Sequence, residues 1–311
     1  MSTIPAGTRD VRSENQKQQK EHVAKISLGF ALILTILKVV VCLATNSLAV
    51  LSETLHSGLD LLATGMTWLA IRFANKPPDS NHPYGHARIE NLSAIAESLL
   101  LYLACFYIVE ESVNRLISET DMVTPNLWAI LVMLFCLFID CNRVRVLKKT
   151  VKETQSQALE ADAMHFSTDI LASVAALVGL GLVFLGSVLQ FSPFWQNLLT
   201  KADTFAAFIV AIIIFVVSSK MIYKAAQVLL DNCSPDLCNN LRALVMKVPG
   251  VENIRKLRLR QSGSTYYVDL VISISGSISV AQGHDICQKI EDMLQAQLGD
   301  CDITIHTDPV Q

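Results

Sequence analysis

His56 and Asp60 lie one helical turn apart in the apolar stretch LSETLHSGLDLLATG, and His165 and Asp169 repeat that order and spacing in EADAMHFSTDILASV. Residues i and i+4 share a face of an α-helix, so each stretch aims an imidazole and a carboxylate at one point. Two such helices packed together offer two nitrogens and two oxygens, a donor set that suits tetrahedral Zn²⁺. Two carboxylates would also balance a divalent charge. An ionisable side chain within a bilayer costs on the order of 3 kcal/mol on insertion scales. A single pair could be explained by a hydrogen bond within its own helix, but two matched pairs on two stretches point to one shared metal site. Ser52, Thr54, Ser57, Gly58, Ala161, Ala163, Ser167 and Thr168 surround the pairs, and such small residues let helices approach closely. Glu53, Glu160 and Asp162 add negative charge that would draw cations toward an aqueous opening.

The chain has seven histidines. His82 and His86 fall with Asp79 in the segment Asn75 to His86, where prolines and Gly85 favour a compact turn. These three could converge on a second metal, or the loop could be a capped polar turn against phosphate headgroups. His284, His306 and Asp308 near the C-terminus are candidates for a third. His22 stands outside any cluster.

These residues need helices of membrane length to position them. Of 311 residues, 51% are hydrophobic and 17% charged, and the mean hydropathy is +0.41, too apolar for an ordinary soluble protein. A hydrocarbon core about 30 Å thick takes roughly 20 residues of helix. Six segments qualify, near 24–45, 50–73, 92–114, 124–146, 164–189 and 204–225. The polar start, residues 1–23, lacks a cleavable signal pattern. Basic residues crowd one set of segment ends: Arg9, Arg12, Lys17, Lys20 and Lys25; Lys76 and Arg88; Arg143, Arg145, Lys148, Lys149 and Lys152; Lys220 and Lys224. The opposite loops carry only Arg115 and Lys201. The positive-inside rule then puts both termini in the cytoplasm. A net charge of −3 gives no reason to expect nucleic acid as a partner.

The last 80 or so residues read as a soluble unit. Ser234-Pro235 suggests an N-cap followed by proline at the first helical position, with the helix stopped by Pro249-Gly250. Residues 254–260 and 265–275 read as strands, 280–298 as a helix and 301–306 as a last strand. That αββαβ order makes a small α+β sandwich of ferredoxin-like type. The expected fold is thus an α-helical membrane protein with a tail (1–23), a six-helix transmembrane domain (24–230) and a cytoplasmic ferredoxin-like metal-binding and dimerisation domain (231–311). The eight cysteines include no CxxC pair. They read as buried or free thiols, with Cys233 and Cys238 a weak metal pair.

HSGLD, NHPYGHARIE, HFSTD, RLRQSG and ITIHTDP together resemble the cation diffusion facilitators, divalent-metal/proton antiporters, over about residues 24–309. The resemblance implies a homodimer of six-span protomers in the membrane, with His56, Asp60, His165 and Asp169 as the transport site and Asp79, His82 and His86 as a loop site. It implies zinc preference, because other members carry aspartate where His56 stands; an imidazole in place of a hard oxygen favours Zn²⁺ over Mn²⁺. Cd²⁺, Fe²⁺ and Co²⁺ fit a similar quartet. His284, His306 and Asp308 match cytoplasmic ligands of the family. Two further ligand positions hold Arg255 and Val271, which leaves a single, weaker regulatory zinc site there.

The expected function is Zn²⁺ export by alternating access with protons as counter-ion, from a bacterial inner membrane. The alternative is a non-transporting metal sensor or a heteromeric partner of a transporter. A metalloenzyme fits poorly: catalytic zinc keeps an open position, whereas this quartet is complete and no HExxH accompanies it.

Overall fold

The computed structural model describes residues 6–45, 48–117, 127–188, 193–263 and 265–310. Six long helices come first: α1 (Ala6–Thr45), α2 (Leu48–Ala74), α3 (Ile89–Ile117), α4 (Leu127–Thr154), α5 (Gln157–Val188) and α6 (Pro193–Leu229). Residues 124–126, expected at the start of the fourth span, and the side chains of Cys42, Ser52, Glu53, Arg115 and Lys201 lie outside the described residues. Among the described residues, three helical stretches are long and apolar enough to cross a membrane: Glu14–Val40, Ile89–Asn114 and Phe208–Leu229. The described part of the N-terminal segment is helical. It continues α1 as helix from Ala6, and its Lys20 is buried against Glu90 of α3 at 2.7 Å.

The bundle packs α1 on α2 and α4, α3 on α2, α5 and α6, and α5 on α2, α4 and α6. Close approach uses small residues at the crossings: Ala24, Ala158 and Ala163 in one cluster with Ile71, Leu147 and Phe166, and Ala94, Ala161 and Ala225 in another with Met221. Large apolar side chains such as Ile33, Leu103, Phe106 and Ile212 point outward, as lipid-facing positions require. Gln155 adopts φ 54°, which reverses the chain between α4 and α5. Ser156 follows; its hydroxyl accepts the Leu159 N–H at 3.4 Å and donates to Glu90 Oε2 at 2.5 Å. Lys224 of α6 grips Glu160 of α5 at 2.6 and 2.8 Å. These pairs mark one end of the bundle, the end from which the C-terminal unit hangs.

That unit runs α7 (Pro235–Val245), β1 (Asn253–Ser262), β2 (Thr265–Ser275), α8 (Val280–Leu298) and β3 (Cys301–Val310). Its sheet order is β1-β2-β3, antiparallel between the first pair and parallel between the second. Alternation on β2 buries Val268, Leu270, Ile272 and Ile274 against Leu241 and Val245 of α7 and Ile290 and Leu294 of α8. Ser279 and Gln282 form a reciprocal capping box that starts α8. The expected αββαβ order is present. Its third strand is longer than expected, because Pro309 sits on the edge of the sheet, where a missing N–H costs no ladder bond. Ser234 holds the N-cap position of α7 without a side-chain cap bond, and α7 ends at Val245, short of the proline. Cys233 and Cys238, expected as thiols, are joined as a disulfide across the start of α7, so neither offers a metal ligand. Cys105, Cys136, Cys141, Cys287 and Cys301 are not in disulfides.

Truncating the fully buried Ile290 should cost about 2–5 kcal/mol. Loss of amide hydrogen-exchange protection in α8 and β2, with the bundle unaffected, is the expected outcome; unchanged protection would show that the helix–sheet contact is not what holds this unit together.

Candidate metal centre

Helices α2 and α5 pack directly on each other, and their polar faces meet. His165 Nε2 lies 3.1 Å from Asp60 Oδ1 and 3.6 Å from Asp169 Oδ2, and His56 Nε2 lies 3.9 Å from Asp60 Oδ1. Ligand atoms of His56, Asp60 and Asp169 all fall within 4.8 Å of one another. Bonds of about 2.0–2.1 Å from Zn²⁺ to nitrogen and oxygen set tetrahedral ligand atoms about 3.3 Å apart. His165 Nε2 is near that edge length from both carboxylates, whereas His56 lies farther out, so its ring has to move inward to complete a tetrahedron. His165 and the two carboxylates are largely buried, whereas the His56 ring is 48% exposed. His165 Nδ1 and Asp169 Oδ2 are buried without a hydrogen-bond partner. Buried polar atoms are seldom left unpaired, and an oxygen of this kind, aimed into a ligand cluster, is what a cation would satisfy.

The quartet lines a cavity of about 280 Å³ that also touches Lys38, Asp140 and Arg143. None of these three stood out in the sequence as part of the site. Arg143 was grouped with the basic residues beyond the fourth span, but it is buried inside the bundle with its guanidinium 3.5 Å above the Phe166 ring. The one signal available was its i, i+3 spacing from Asp140 within an apolar run. Asp162, expected to help draw cations toward an aqueous opening, is 1% exposed and bonded to Ser27; Glu160 is paired with Lys224. The third expected attractant, Glu53, has a side chain outside the described residues.

The loop between α2 and α3 brings its own three candidates together. Asp79 Oδ1 lies 3.2 Å from His82 Nδ1, Asp79 Oδ2 lies 3.3 Å from His86 Nε2, and the two imidazoles are 4.4 Å apart. Asp79 Oδ1 also accepts the backbone N–H groups of His82 (2.7 Å) and Asn81 (2.9 Å). The hydrogen bond from the His82 N–H, with those from the Asn81 N–H and the His82 ring, holds the Asp79 carboxyl below its ordinary range against an opposing desolvation. A lowered carboxylate pKa favours the folded turn above the ordinary aspartate range and loses that contribution as pH falls through the lowered value. Near neutrality Asp79 is thus an anion, already oriented toward both histidines. Gly85, at φ +76°, supplies the left-handed turn that brings His86 back.

In the C-terminal unit the candidates do not converge. His306 Nε2 contacts Asp308 Oδ1 at 3.1 Å, but His284 is exposed on α8 and joins no ligand cluster among the described residues. A register shift in β1 between Ile254 and Lys256 re-aims Arg255. Its Nη1 lies 3.1 Å from Asp308 Oδ2 and its Nε donates to Ser273 Oγ at 3.2 Å. A fixed cation thus occupies part of the place where a ligand was sought.

Residues 24–230 match the family model described as the cation efflux transmembrane domain, and residues 233–310 match the cation efflux protein cytoplasmic domain. The chain is 30% identical over 284 residues to the cation-efflux pump FieF of Escherichia coli (strain K12 / DH10B) and of Shigella boydii serotype 18 (strain CDC 3083-94 / BS512), with 90% of each chain covered. Among solved structures, a Zn form of the putative zinc transporter CzrB is 20% identical with a TM-score of 0.25, over 25% of this chain and 91% of that one. A nickel form of the MamM CTD is 19% identical with a TM-score of 0.24, over 25% and 100%. The chain belongs to the cation efflux, or cation diffusion facilitator, family: it is an integral membrane metal-cation transporter and not an enzyme.

Asp79→Asn keeps the turn's shape but removes the anion between the two histidines. Zinc affinity at the loop, titrated against a chromogenic chelator, should fall by at least about tenfold; an unchanged affinity would remove Asp79 from the ligand set.

Proposed function

We propose that this transporter exports Zn²⁺ from the cytoplasm in exchange for protons, with His56, Asp60, His165 and Asp169 as the site that carries the metal. The observation that carries the reading is the 3.1 Å contact between His165 Nε2 and Asp60 Oδ1. At that distance one of the two groups holds a proton between them. A metal bound to the same nitrogen requires that proton to leave. Metal and proton thus compete for one atom, which is the elementary step of an antiporter. Two carboxylates and two imidazoles around a divalent ion give a site close to neutral, and the mixed donors favour borderline Zn²⁺ over harder ions; Cd²⁺, Fe²⁺ and Co²⁺ are the competitors such a site admits.

In this scheme the metal binds from the cytoplasm as protons leave. Rearrangement of α2 and α5 against their neighbours turns the site outward, and protons from that side displace the metal. We place six crossings with both termini cytoplasmic, supported by the basic residues clustered at one set of helix ends, and a bacterial inner membrane as the host, supported by the bacterial relatives. We assign residues 1–23 to a cytoplasmic tail, 24–230 to the membrane domain and 231–311 to a cytoplasmic domain through which two copies pair. Asp79, His82 and His86 form an accessory site facing the cytoplasm. For a regulatory metal in the tail, His306 and Asp308 supply two donors and His284 lies apart, so this is the weakest of the three sites.

Proteoliposomes with an imposed proton gradient test the reading. Gradient-driven Zn²⁺ flux is expected in wild type and a fall of at least about 100-fold in Asp60→Ala and Asp169→Ala, beyond what loss of an outer-shell partner costs. Retained flux in either variant would refute the assignment. His56→Asp should raise the Cd²⁺/Zn²⁺ flux ratio, because it exchanges a nitrogen donor for an oxygen; an unchanged ratio would remove His56 from selectivity.

A further inference from the structure

The cavity at the quartet is not lined by Thr64 or Asp162, each about one turn nearer the C-terminal unit than Asp60 or His165. Its lining runs from Asp60 and His165 to Lys38 of α1, Asp140 of α4 and Ser173 of α5. On α5 the lining continues past Asp169 to Ser173, away from the C-terminal unit, and on α1 it reaches Lys38, whose Nζ donates to Ser57 Oγ beside His56 at 2.6 Å. Toward that unit the lining ends at Asp60 on α2, Arg143 on α4 and His165 on α5. One turn beyond the quartet on this side, Arg143 Nε donates to Ser27 Oγ at 2.6 Å and Nη2 donates to Thr64 Oγ1 at 2.8 Å. Ser27 Oγ donates in turn to Asp162 Oδ2 at 3.0 Å, and Arg143 Nη2 lies 3.9 Å from that oxygen. The side chains of Arg143 and Asp162 are 4% and 1% exposed. One guanidinium thus ties α1, α2, α4 and α5 together across the route between the quartet and the tail side.

Its partners sit on the two helices that carry the metal ligands. Thr64 is one turn from Asp60, whose carbonyl its hydroxyl approaches at 2.9 Å. Asp162 and Phe166 flank His165. A rigid-body shift of α2 or α5 around a metal must therefore move the Arg143 contacts too. A buried ion pair also suits a contact that breaks in every cycle. Its desolvation cost offsets most of its attraction, so separating it into water loses little. A well-packed apolar plug would resist the same motion more strongly.

We propose that Arg143, with Asp162, Ser27 and Thr64, is the gate that closes the transport cavity toward the cytoplasm, and that these contacts separate to let the metal reach the quartet from that side. The proposal rests on the chain being a metal transporter with a cytoplasmic tail, and on neither zinc nor protons. Cys136, in the cavity lining, reports on the gate. The full-length protein is reconstituted metal-free, and a membrane-impermeant maleimide is added from the tail side. Alkylation of Cys136 is then read by site-resolved mass spectrometry. Arg143→Gln should label about tenfold faster than wild type, as expected if the closed state loses about that factor in population, while labelling from the opposite side does not rise. Ser27→Ala, which keeps both charges and is the milder change should Arg143→Gln not fold, should label faster in the same one-sided way. Folded variants that label at the wild-type rate would overturn the gate. Equal acceleration from both sides, the mark of a bundle merely loosened, would overturn it as well. No flux enters the measurement, so a failure of the zinc or proton reading leaves it standing, and its own failure leaves that reading intact.

Discussion

A charge inside a bilayer-spanning bundle has to be met by another charge, a hydrogen bond or a ligand, because water is not there to solvate it. This constraint organises the membrane domain. Lys20 meets Glu90, and Arg143 meets Asp162 through Ser27 and Thr64. Thr67 and Ser93 donate to Glu97. The quartet differs from these pairs. His165 and Asp60 meet each other, but His165 Nδ1 and Asp169 Oδ2 have no hydrogen-bond partner, the latter lying 3.6 Å from His165 Nε2. Glu97 Oε2 is likewise without a hydrogen-bond partner; what sets the quartet apart is that ligand atoms from two helices converge there.

The same logic links the membrane domain to its tail. Arg88, at the end of the α2–α3 loop, pairs with Asp231 just beyond α6. Tyr267 of β2 donates to the Tyr84 carbonyl at 3.2 Å, and Arg260 of β1 stacks 4.0 Å over the Tyr84 ring. The loop that carries Asp79, His82 and His86 therefore rests on the sheet of the C-terminal unit. The contacts to that sheet are made by residues of the loop itself.

Much of this was legible in the sequence because the relevant signals are local. The i, i+4 spacing of His56/Asp60 and His165/Asp169 fixes a shared helical face before any tertiary contact is known. Alternation over 265–275 gave the limits of β2, and those expected for α8, which opens on its Ser279–Gln282 capping box, also match the structure. What was not legible depends on partners distant in sequence. Arg143 looks like a charge beyond the membrane edge, and only Ser27, Thr64 and Asp162, on three other helices, show that it points inward. Lys20 looks like part of a solvated tail until Glu90 appears beside it. Arg255 looks like a surface residue until a bulge in β1 turns it onto Asp308. Polar residues near the ends of long helices are ambiguous, since helices such as α1 and α6 exceed the thickness of a hydrocarbon core of about 30 Å and continue past it.

The most direct measurement of the central claim is X-ray absorption at the zinc edge on Zn²⁺-loaded protein in which Asp79, His82 and His86 are replaced by alanine, so that the quartet dominates the signal. Four nitrogen and oxygen neighbours at about 2.0–2.1 Å, with the multiple scattering of two imidazoles, are expected if α2 and α5 together hold the metal. A six-coordinate oxygen shell, a sulfur neighbour, or one imidazole instead of two would contradict it.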